Sequence, residues 1–276
     1  MLNDILVYAN NFEAWSVAVE YAARLAADEQ ANLTAAYVYP TPSFMMPAYG
    51  ASALLTAIVE HTHRIEKESL AAEQGFAAWA RGLGVLHANW QVVEGYLPDA
   101  MTHVGNWHDV LVLGRDGELP WESAGDVGAL VVRCGLPCIV VPQGWRGAAH
   151  IERVAVAWNG APEGLRAIHA AMPLLKKAGR VVLLNGRRRD PLAEIGWRPE
   201  FELHAYLRRH GIAFDDVEIG ATGAEVGEAL LDAAARAKAD LLVMGAYGRN
   251  RFSEWVFGGA TRHVLEHAGL PVFMRH

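Results

Sequence analysis

Between Gly245 and Thr261 the chain reads Gly-Ala-Tyr-Gly-Arg-Asn-Arg-Phe-Ser-Glu-Trp-Val-Phe-Gly-Gly-Ala-Thr. An apolar run at 241–244 precedes this segment and a helical pattern at 260–267 follows it. Glycines let a backbone approach a phosphate closely and reach positive φ. The free N–H groups that open the next helix then meet the anion. Thr261 can add a hydroxyl donor, and Arg249 or Arg251 can add positive charge. The chemistry is that of a phosphate cradle, weighed against a glycine-rich turn kept for packing alone.

The elements that must position such a loop can be read on either side of it. In the second half the pattern predicts strands at 154–158, 180–185, 213–219, 241–244 and 272–274. It predicts helices at 163–177, 201–210, 224–237 and 260–267. Continuous apolar strands separated by helices of this length imply a parallel sheet covered on both faces. Right-handed crossovers then make it doubly wound, with ligands expected beyond the carboxyl ends of the strands.

The first half carries the same pattern. Asp109-Val-Leu-Val-Leu-Gly114 matches Asp240-Leu-Leu-Val-Met-Gly245, and Gly135-Leu-Pro matches Gly269-Leu-Pro. The expected architecture is two doubly wound, five-stranded parallel-sheet α/β domains in tandem, at 1–143 and 150–276. The turn-rich stretch at 142–147 joins them. The halves are expected to pair through their last strands, 139–141 and 272–274. A long helix is expected at 52–81, after a Pro/Met/Phe loop at 39–46.

The glycine segment resembles the signature of the universal stress protein family: Gly, two residues, Gly, nine residues, Gly, then Ser or Thr. Gly245, Gly248 and Gly258 fall on its three glycines. The resemblance implies a Rossmann-like fold of the adenine-nucleotide α-hydrolase type. It also implies a stress-response module binding ATP, with or without Mg2+. The residues it points to are Asn159, Gly160, Asn185 (through the backbone that follows), Gly245, Gly248, Arg249, Gly258, Gly259 and Thr261. Asn159 stands where the family has an Asp at the end of the first strand, and still offers an acceptor and a donor. Gly259 stands at the Ser/Thr position, so Thr261 must supply any hydroxyl. The matching loop of the first half, Gly114 to Asp126, is short and acidic and contains Pro120; no ordinary ATP site is expected there.

Bulk properties narrow the function further. The chain has 276 residues, 52% of them hydrophobic, and a net charge of -7 from 24 basic and 31 acidic side chains. Such a balance argues against general nucleic-acid binding, which rests on phosphate neutralisation. No apolar run approaches a membrane span, and no targeting segment is read, so a cytoplasmic protein is expected. Cys134 and Cys138 read as small buried hydrophobes. His263 and His267, at i and i+4, lack a third ligand, and no catalytic metal motif, nucleophile elbow or P-loop is present. The Arg187–Arg189 run reads as a solvated loop near the same sheet edge. With no positioned general base, at most slow ATP hydrolysis is expected, and no catalytic residue is assigned. A regulatory protein partner and a homodimer fit such a module. The alternative is an interaction module that takes a partner protein or an apolar small molecule instead of a nucleotide.

Overall fold

The structure is a computed structural model that describes residues 1–41, 52–115, 124–186, 202–247 and 259–276. The loop at 42–51, the first half's acidic loop at 116–123, the arginine run and residues 248–258 lie outside the described residues. The chain divides into two compact units. One comprises Leu2–Gly114 with Arg133–Leu136; the other comprises Met1, Arg115–Val132 and Pro137–His276.

The smaller unit is built on β1 (Asp4–Ala9), β2 (Asn32–Tyr39), β3 (Ala88–Glu94) and β4 (Val110–Arg115), with α1 (Val17–Glu29), α2 (Ser52–Ala71), α3 (Glu73–Gly82) and α4 (Leu97–Gly105) between them. Its strands are parallel, in the order β3-β2-β1-β4. Ile5, Leu6 and Val7 are consecutive and fully buried, as a strand covered on both faces requires. The expected helix at 52–81 is two helices, α2 and α3. Trp90 explains the break: its indole Nε1–H donates to the Ser69 carbonyl at 2.8 Å, taking an acceptor that a continuous helix would give to residue 73. After the break α3 packs on β3, with Phe76 fully buried.

The larger unit contains α5 (Ala124–Arg133), β5 (Cys138–Pro142), β6 (Arg153–Trp158), α6 (Pro162–Lys177), β7 (Arg180–Asn185), α7 (Leu203–Arg209), β8 (Phe214–Glu218), α8 (Val226–Arg236), β9 (Leu241–Gly245), α9 (Gly259–His267) and β10 (Val272–Arg275). Its strand order is β5-β10-β9-β6-β7-β8. Within it, β8-β7-β6-β9 repeats the β3-β2-β1-β4 order of the first half. β5 pairs antiparallel with β10, Ile139 opposite Phe273, which is the expected meeting of the two final strands. The edge strand β8 exposes Asp215, Asp216 and Glu218, charges that discourage further strand addition. The protein is therefore a mixed α/β protein with a mostly parallel sheet.

A shared clamp underlies both repeats. Asp109 Oδ2 accepts the backbone N–H groups of Asn3 and Asp4 at 2.6 and 3.1 Å. Asp240 Oδ2 does the same for Glu152 and Arg153, at 3.2 and 2.8 Å. Each carboxylate thus fixes where the first strand of its repeat begins relative to the fourth. Cys134 and Cys138 are buried free thiols.

Candidate functional site: a glycine-walled cleft in the second half

The carboxyl ends of β6, β7 and β9 open on a cavity of about 520 Å3. That size suits a small-molecule ligand, and the place is where a doubly wound sheet binds one. One wall is the turn from β6 into α6. Gly160 takes φ +80° there, and the Asn159 Oδ1 accepts the Ala161 N–H at 3.0 Å. Pro162 begins the helix, where a missing N–H costs nothing. The three-residue turn is therefore held by its own sequence. It occupies the acceptor atom of Asn159, while the Nδ2 amide makes no hydrogen bond to a described residue.

The opposite wall is formed by Gly245, Tyr247 and the first turn of α9, Gly259 to Thr261. Gly245 has a steric cause. A Cβ there would lie 2.5 Å from the Gly164 nitrogen and 2.6 Å from the Glu163 carbonyl carbon, so any side chain would push α6 off the sheet. Gly259 is different: a Cβ there meets no described residue within 4 Å. Thr261 is 6% exposed and lines the cavity. Its hydroxyl makes no hydrogen bond to a described residue. The floor is apolar, with Leu184, Ile219, Val226, Leu230 and Met244.

The structure brings Asn159, Gly160, Gly245, Gly259 and Thr261 to one cavity. Asn185 is set apart from it. Its Nδ2 donates to Asp216 Oδ1 at 2.7 Å, and its own Oδ1 is buried without a partner. The next residue, Gly186, is the one that lines the cavity. Gly248, Arg249 and Gly258 lie outside the described residues. Trp158 also lines the cavity, its ring packed over Gly164, where a Cβ would come 3.2 Å from Cε3.

Two lining residues were not found from sequence. Glu163 is 4% exposed and sits in the first turn of α6. A Pro-Glu pair is an ordinary helix-start signal, so its type alone does not mark it as a cavity group. Tyr247 is 4% exposed and holds φ +52°, unusual for a bulky residue. Its hydroxyl rests against Gly128 of α5 in the same unit, so closely that a Cβ at Gly128 would overlap it.

The charge distribution around the cavity is uneven. Glu163 lies in the first turn of α6 and Glu228 in that of α8, whereas the first turn of α9 has no acidic residue. Helix N-termini favour anions, and among the described residues α9 is the one of these three whose first turn carries no carboxylate. Among the described residues that line the cavity there is no His, Lys or Cys. His263 and His267 stack at 4.2 Å on α9, and no group of three metal-ligating side chains occurs among the described residues. No helix among the described residues is long and apolar enough to cross a membrane.

Comparison with known proteins agrees with this geometry. Residues 150–276 match the model of the universal stress protein family. A universal stress protein of Synechocystis sp. is 27% identical over 192 residues, and the match covers 64% of this chain and 61% of that protein. A universal stress protein from Archaeoglobus fulgidus DSM 4304 shares the fold across 99% of this chain and 96% of its own, with a TM-score of 0.67 at 13% identity. A Pseudomonas aeruginosa PAO1 protein of unknown function shares it across 99% of this chain and 92% of its own, with a TM-score of 0.59 at 14% identity. Residues 150–276 thus carry a domain similar to the universal stress protein family, and the whole chain shares the fold of universal stress proteins.

Proposed function

We propose that the second half binds an adenine nucleotide, ATP with or without Mg2+, and that the protein is a stress-response regulatory module acting by binding rather than turnover. The observation that carries this reading is the cavity itself. It joins an apolar floor suited to a base with a helix N-terminus suited to phosphate, whose described first turn carries no acid, at the carboxyl ends of a parallel sheet. Asn159, Gly160, the backbone at Gly186, Gly245, Gly259 and Thr261 would hold the ligand, with Gly248, Arg249 and Gly258 completing the loop. Slow turnover at most follows from the lining, where Glu163 is the one carboxylate and no histidine, lysine or cysteine stands by among the described residues. We place the protein in the cytoplasm, its ligand state read by a regulatory partner or a second copy of the chain.

Calorimetric titration of ligand-free protein with ATP and Mg2+ tests the reading, with Gly259→Asp as the control. Because a Cβ at 259 meets no described residue within 4 Å, and an acid there suits the helix dipole, the variant is expected to fold normally yet to bind ATP far more weakly. A micromolar single site lost in Gly259→Asp supports the proposal. Absence of heat and of thermal shift at millimolar ATP sinks it. A second reading, an apolar small molecule in the same cavity, is favoured by the five aliphatic and thioether side chains of its floor. Mass spectrometry of the protein as purified, before any ligand is stripped, would reveal it.

A further inference from the structure

Glu163 is a carboxylate with a side chain 6% exposed, and it lines the cavity. Its neighbouring cation is Arg166, whose Nη2 lies 3.4 Å from Oε1 while the arginine side chain is 47% exposed. A contact that long to a half-solvated guanidinium leaves the carboxylate with capacity to accept further hydrogen bonds. Among the described residues, the end of the cavity without a carboxylate is the α9 wall, and the acidic end is the turn from β6 into α6. An anionic ligand entering this field orients with its phosphates toward α9 and its neutral donor groups toward Glu163.

Resting on the nucleotide reading above, we infer that Glu163 is a specificity-determining residue that accepts hydrogen bonds from the ribose hydroxyls and excludes nucleotides phosphorylated on them. A hydroxyl pair gives a buried carboxylate the donors it needs. A phosphate in the same place brings a second negative charge against it, in a site where water screens poorly. The cavity then distinguishes two ligands of identical base and identical 5′-phosphate. Carboxylates that read ribose hydroxyls in dinucleotide folds work by the same physics.

The test is a calorimetric comparison of adenosine 5′-monophosphate with adenosine 3′,5′-bisphosphate, on the wild-type chain, on Glu163→Gln and on Arg166→Ala. The wild type is expected to prefer the monophosphate by about 100-fold. Glu163→Gln, which keeps the shape and removes the charge, should reduce that preference to a few-fold. Arg166→Ala changes a half-exposed position and leaves Glu163 less compensated, so it should widen the preference. It remains readable even if Glu163→Gln fails to fold. A preference unchanged in both variants, or absent from a wild type that binds the monophosphate, overturns the role of Glu163 and leaves nucleotide binding standing. If neither nucleotide binds a protein that does bind ATP, the role of Glu163 falls alone; if ATP fails to bind as well, both proposals fall together.

Discussion

The two halves of the chain share a strand order and an aspartate clamp, yet they treat the region beyond their first strand in opposite ways. In the second half, three residues, 159–161, lead from β6 into α6, and an open cavity lies beside them. In the first half, seven residues, 10–16, lead from β1 into α1 and carry Phe12 and Trp15. Trp15 packs against Phe76, Trp79 and Trp90 at ring separations of 5.3 to 5.6 Å, and Phe12 meets Tyr37 edge-on at 5.0 Å. Glycines at 160, 164, 186, 245 and 259 leave space in one repeat; aromatic rings build a packed cluster in the other. The same backbone plan supports an open cavity or an enlarged core, according to what the first connection carries.

The difference can be broken most severely at Trp15. Trp15→Ala is expected to cost about 3 kcal/mol in urea unfolding, because three rings lose their common partner. ATP affinity in the second half should be untouched, and a parallel loss of affinity would contradict the division of labour. The next largest effect comes from copying the first half into the second. Counting back from Gly135 and Gly269, Ala260 corresponds to Asp126. Ala260→Asp should weaken ATP binding by about 100-fold, read by calorimetry, while leaving the melting temperature equal or higher.

The shared framework is sharpened by the clamp. Asp109→Ala and Asp240→Ala should each cost about 2 kcal/mol in urea unfolding, since each leaves two strand-opening N–H groups without their charged acceptor. Clearly unequal costs would show that the repeats no longer depend on it alike. The smallest effect is acid sensitivity. On α9 the hydrogen bond from Arg262, at 2.7 Å, holds the Glu266 carboxyl below its ordinary range. Its folded-state pKa lies under the unfolded one. The stabilisation is therefore complete above the ordinary carboxylate range and is lost as pH falls through the folded value. The first half has Gly128 and Val132 at the matching positions. Glu266→Gln should slightly flatten the acid limb of the urea midpoint against pH, by an amount that solvent screening keeps small.

Much of this was legible in the residues, and the exceptions are physical. The β7 strand and the start of α6 came within a residue of expectation because apolar period and Pro-Glu punctuation are local properties. The division of 52–81 into two helices was not legible. It depends on the Trp90 indole reaching the Ser69 carbonyl, a contact across 21 residues that no helical periodicity records. At the site, Asn159, Gly245 and Gly259 could be singled out by type and spacing. Spacing could not tell that Gly245 is required by the close approach of α6 whereas Gly259 is not crowded by any described residue. Asn185 was placed one residue from the cavity because strand register alone does not say which way a terminal side chain turns.

The α/β repeat, the glycine segment after β9 and the likeness to the universal stress protein family could all be read from the residues, since they rest on periodicity, punctuation and short-range spacing. Only the tertiary structure decided that Glu163 is buried in the cleft, that Tyr247 needs Gly128, and that one repeat is open where the other is packed with rings. Those properties arise from contacts between residues far apart in the chain, where burial and the meeting of helix ends with strand ends set the chemistry of each side chain.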